Sequence, residues 1–244
     1  MNTRMMHYRW LFWSALALLG ACTGPAPEPD PPEATAPGPG QAIPYPIVDD
    51  NVRHDTLLVQ VTFRLTGKKY VMVASHMDEN FDGLRLYLYS PGADSSALVH
   101  AHSSPAYDSW TMLPTFFHDP RDSSAHIVLA NFGERESWGQ KVMVMDSTGF
   151  TDLGFIDAAL PERTTDGDST VLKRRNIGPV SRCIPDGGGL RFEFACDSVF
   201  LYDDLRGGMD RVIPAAWLHY TWDPKTGMTL WFQGEARRPE QTPI

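Results

Sequence analysis

The stretch Leu57-Leu58-Val59-Gln60-Val61-Thr62-Phe63-Arg64-Leu65 decides the fold. Leu57, Val59, Val61, Phe63 and Leu65 fall on one side, and Leu58, Gln60, Thr62 and Arg64 on the other. Period two marks a strand with one buried face, because successive side chains of an extended chain point to opposite faces. Thr66-Gly67-Lys68-Lys69 then turns the chain. Tyr70 to Met77 and Leu84 to Tyr89 read as two further strands, joined by Asp78-Glu79-Asn80-Phe81-Asp82-Gly83. Pro91-Gly92-Ala93-Asp94 turns again, and Ala97 to His102 returns.

Outward from there the pattern recurs. Trp110 to Phe117 is apolar, and His118-Asp119-Pro120-Arg121-Asp122 is a turn. Ala125 to Ala130, Lys141 to Met145 and Asp152 to Ile156 follow as strands. An offset of 56 residues places Val73-Ala74 over Leu129-Ala130, and Leu86 to Tyr89 over Val142 to Met145. This repeats pattern rather than sequence, and implies two successive meanders of similar length. Asp157 to Ser169 is polar and reads as a loop. Val171 to Cys183, Leu190 to Cys196, Val199 to Tyr202, Ala215 to Trp222 and Met228 to Phe232 complete the strands.

Short strands at this spacing predict an all-β domain of antiparallel meanders, spanning about 56–105, 110–157 and 170–233. The meanders resemble the four-stranded blades of β-propellers, which implies propeller-like blades; a β-sandwich is the alternative.

The N-terminus carries a different message. Arg4 and Arg9 precede an apolar core, Trp10 to Leu19, that ends in Leu19-Gly20-Ala21-Cys22. The core is shorter than the roughly 20 residues a membrane span needs, and has the length of a signal-peptide core. The ending resembles the lipobox of bacterial lipoproteins. That resemblance implies cleavage after residue 21, acylation of Cys22 and a lipid-anchored envelope protein. Thr23, rather than aspartate, after the cysteine implies the outer membrane. Residues 22–45 are rich in proline and read as an extended tether of about 3.1 Å per residue. The domain is then expected over 46–244.

Removing residues 1–21 leaves 19 basic and 30 acidic residues, a balance of −11. Such a chain is unsuited to nucleic acid, whose phosphates demand lysine and arginine. Besides Cys22 there are only Cys183 and Cys196, an even pair that predicts a disulfide in an exported domain. Two buried free thiols are the other reading.

Candidate chemistry is sparse. Asp78, Asn80 and Asp82 before Gly83 resemble the opening of a calcium loop, since alternate oxygen side chains in a tight turn can meet one hard cation. A polar hairpin turn uses the same residues. Tyr89 stands where an EF-hand needs its glutamate. His100 and His102 share a strand face and would need a third ligand to hold zinc or copper. Asp166-Gly167-Asp168-Ser169-Thr170 matches the nucleophile string of the haloacid dehalogenase phosphatases, but follows polar chain rather than a buried strand. No nucleophile elbow, His-Glu-x-x-His motif or phosphate-binding loop occurs.

Aromatics cluster at Tyr107, Trp110, Phe116, Phe117 and Trp138, and again at Trp217, Tyr220, Trp222 and Trp231. Trp110, Trp138 and Trp222 are the candidate binding residues, for stacking on sugars or anchoring a protein. The reading is a non-catalytic envelope lipoprotein that binds a protein or glycan. A hydrolase of sugar or phosphate esters, and a structural or inhibitory lipoprotein, are the alternatives.

Overall fold

The computed structural model describes residues 37–47, 52–66, 69–77, 82–100, 103–167, 169–203 and 209–237. Within them the fold is all-β. Strands β1 (Leu57–Arg64), β2 (Tyr70–His76), β3 (Arg85–Pro91) and β4 (Ala97–Val99) form a first antiparallel meander. Strands β5 (Met112–Asp119), β6 (Asp122–Phe132), β7 (Gly139–Met145) and β8 (Phe150–Ile156) form a second.

The 56-residue offset is visible in the hydrogen bonding. Val73 pairs with Leu86, and Val71 with Leu88. Leu129 pairs with Val142, and Ile127 with Val144. Equivalent faces also point the same way round. Val71 and Val73 of the first sheet pack on Val128, Ala130, Met143 and Met145 of the second. Ile127, Leu129 and Val142, on the second sheet's other face, pack on the sheets that follow. Side chains such as Phe117 and Val128 are fully buried there, each contributing roughly 1.5–3 kcal/mol by leaving water.

The remaining strands are β9 (Ala158–Asp166), β10 (Ser169–Arg175), β11 (Ser181–Asp186), β12 (Gly189–Phe194), β13 (Ser198–Asp203), β14 (Met209–Pro214), β15 (Leu218–Asp223), β16 (Gly227–Phe232) and β17 (Glu235–Arg237). They depart from the expected third meander. The third sheet has the order β10-β9-β13-β14, and the fourth β11-β12-β15-β16-β17. The expected strand from Val171 to Cys183 is broken by a 3-10 turn at Gly178–Val180, so its halves join different sheets. Pro179 lacks the N–H a continuous ladder needs. The expected loop at 157–169 contains β9, whose Leu160 packs on the core although its outer positions are polar.

Residues Gln41 to Ile47 belong to the fold, so the domain begins earlier than residue 46. They run as a strap across three sheet edges, bridging Gln41 to Arg182, Ile43 to Phe116 and Ile47 to Phe63. Each contact lies on an outermost strand: β11, β5 and β1. Covering bare edges removes unpaired backbone groups that would otherwise recruit other chains. Tyr45 anchors the strap, with its ring edge-on to Phe116 and its hydroxyl 2.8 Å from His126 Nε2.

The expected Cys183–Cys196 disulfide is overturned: both thiols are free. Cys183 pairs with Phe192 across the β11–β12 ladder. Cys196 lies four residues after that partner, beyond the end of β12. A disulfide needs Cα atoms within about 7 Å. Cys183 is instead a core residue, and burial pushes its thiol up to about 12.

Candidate functional site

The three tryptophans singled out in the sequence separate into different environments. Trp138 ends the loop between β6 and β7, which closes through its N–H to the Phe132 carbonyl at 2.9 Å. Gly133 and Gly139 bracket the loop at φ +129° and +126°. A side chain at Gly139 would overlap the Phe155 ring, so only glycine fits. Buried polar groups pin the loop. Ser137 Oγ donates to Asn131 Oδ1 at 2.6 Å, and Gln140 Nε2 donates to the same oxygen at 2.7 Å. The loop also extends the third sheet, because Ser137 N–H donates to the Arg174 carbonyl and Arg174 N–H donates to Glu136 Oε2, both at 3.0 Å.

This pinning holds the Trp138 ring 44% exposed beside a shallow cleft. Its inner face stands edge-on to Phe132, at 6.1 Å between centroids. Phe132 in turn stacks on Tyr107, and Lys141 Nζ lies 5.5 Å from the Tyr107 ring and 5.8 Å from that of Phe155. The far side of the cleft comes from the third sheet. Phe200 is buried, with the Arg174 guanidinium 5.8 Å above its ring. Tyr202, two residues on and therefore on the same face, is 38% exposed. Ser137, Gly139, Asp157, Ala158 and Ala159 complete the lining, and the enclosed space is only about 10 Å³. Two partly exposed aromatic residues, Trp138 and Tyr202, thus share one cleft with Arg174 and Asp157.

Trp110 does not line this cleft, although it sits on an adjoining loop. Ser109 Oγ accepts from Gly133 N–H at 3.1 Å, and Thr111 Oγ1 donates to the Gly133 carbonyl. The Trp110 side chain is 60% exposed. Trp222 lies toward the opposite end of β6. It packs on the shared core, with the Arg121 guanidinium 4.9 Å over its ring. Arg121 donates to both Asp119 oxygens, at 2.9 and 2.7 Å. Trp222 is therefore a packed residue rather than an open platform.

Of the candidate calcium ligands, Asp78 and Asn80 lie outside the described residues. Asp82 Oδ2 accepts from Arg85 Nη2 at 2.8 Å, and this partner holds the carboxyl below its usual range. His100 Nε2 lies 3.0 Å from Ser90 Oγ just beyond β4, and His102 lies outside the described residues. Asp166 and Ser169 pair at the β9–β10 hairpin, and Asp168 lies outside the described residues. Among the described residues no three His, Cys, Asp or Glu side chains converge to hold a metal. Cys22 is likewise outside the described residues.

Sequence reasoning missed Arg174, Phe200, Tyr202 and Asp157 as partners of Trp138. The alternation Phe200-Leu201-Tyr202 offered a signal, since Leu201 joins the core and its neighbours must face away. Nothing in the sequence placed that face beside the β6–β7 loop. No protein-family model matches this chain, and neither a curated protein nor a solved structure gives a significant match.

Proposed function

We propose that this chain is a lipid-anchored envelope protein, held through Cys22, whose β-domain binds a protein or glycan partner without catalysis. One observation carries the binding reading: a buried polar network fixes the loop that presents Trp138, yet Trp138 stays 44% exposed in the same cleft as the exposed Tyr202. A pinned aromatic loses little conformational freedom on binding, so its contact area converts efficiently into affinity. The equivalent register and packing direction of the first two meanders support propeller-like blades as the scaffold.

The test is crosslinking in intact native cells, followed by capture through a C-terminal tag and mass spectrometry. The wild-type chain is expected to capture a partner that Trp138→Ala loses while keeping its fold. An identical capture profile for both overturns the assignment of the cleft. In parallel, Cys22→Ser is expected to move the protein from the membrane to the soluble fraction. Retention in the membrane overturns the anchor.

A further inference from the structure

We propose that the Trp138–Tyr202 cleft binds an uncharged oligosaccharide; this rests on the preceding reading of the cleft as the partner-binding site. The first argument is size. The cleft is a shallow surface feature rather than a cavity. With only about 10 Å³ enclosed, it also cannot engulf an apolar small molecule. A ligand that gains from such a site must lie flat across it.

The second argument is chemistry. Trp138 and Tyr202 present solvent-facing rings, whose negative faces attract the polarised C–H bonds of a pyranose. Arg174 lines the same cleft, and its planar guanidinium can donate to hydroxyls. Arg174 is held in place from two sides, its guanidinium over Phe200 and its backbone N–H on Glu136. A sugar offers this combination, with apolar faces and hydroxyl edges.

The third argument is charge. The chain after residue 21 carries −11, and the Arg174 guanidinium already has Glu136 at 3.8 Å. An anionic polysaccharide would meet repulsion without a dedicated cation. An uncharged sugar would not.

The experiment titrates the folded full chain with tetramers of glucose, mannose and N-acetylglucosamine, following tryptophan fluorescence. Saturable binding is expected for at least one of them. Trp138→Ala should weaken it about tenfold, Trp138→Phe should retain most of it, and Trp110→Ala should leave it unchanged. Thermal melts confirm that each variant is folded. No saturable binding by any tetramer overturns the proposal, as does binding that Trp138→Ala leaves intact. If a protein captured in cells depends on Trp138 while no tetramer binds, the sugar assignment fails and the partner-binding reading stands. If neither depends on Trp138, both fail.

Discussion

Acid should loosen the strap, and His126 is the reason. Its ring is buried, with Nε2 at Tyr45 and Nδ1 without a hydrogen-bond partner. Its charged neighbours are Lys69 and His118, both basic. Protonation would make both ring nitrogens donors, leaving a buried N–H without an acceptor next to like charge. Burial first, and then Lys69 and His118, lower the imidazole from 6.5 to about 4. Because the folded value lies below the unfolded one, the unfolded chain takes up the proton first. The stability held by neutral His126 is complete above about pH 6.5 and is lost as pH falls toward 4. A shift of this size corresponds to about 3 kcal/mol at most. Relaxation and water penetration around the protonated ring reduce that to about 1–2 kcal/mol.

The assay is urea denaturation of wild type and His126→Gln at pH 7 and pH 4.5. Carboxylates such as Asp82 and Asp146, whose partners hold them low, titrate in both proteins and cancel in the comparison. Wild type should therefore lose about 1–2 kcal/mol more than the variant over this interval. Amide exchange should show residues 41–47 opening first. Equal acid losses in the two proteins, or a His126 titration near 6.5, would refute the reasoning.

Other expectations follow from single contacts. Gly139→Ala forces a side chain into the Phe155 ring at φ +126° and should cost about 2–3 kcal/mol in denaturant titrations. Asp119→Ala removes an almost fully buried carboxylate from the partly exposed Arg121, and should cost about 2 kcal/mol by the same assay. Reductant should leave the melting temperature unchanged, and Cys183 should react with iodoacetamide only on unfolding; a reductant-sensitive melting temperature would restore the bridge. Trp138→Ala, with its ring nearly half in water, should shift the melting temperature little while weakening sugar binding.

The first half of the domain was readable because its information is local. Period-two alternation marks β1, and regular hairpins carry the β2–β3 register into β6–β7 at a constant offset. The second half was not, because β13 returns to β9 across β11 and β12, and no turn signal encodes that exchange. An even pair of cysteines suggested a bridge, but Cys183 pairs with Phe192 in the ladder and both thiols are free. The candidate site shows the same split. Trp138 stood out by residue type, whereas Phe200 and Tyr202 reach it only through the packing of sheets far apart in sequence.

The strap has a consequence for the order of events during synthesis. Gln41 leaves the ribosome early, but its partner Arg182 follows 141 residues later (182 − 41). The clasp cannot close until most of the domain has arrived, and closing so large a loop is slow. Until then the edges of β1, β5 and β11 stay bare, and these are the surfaces through which copies would pair with each other.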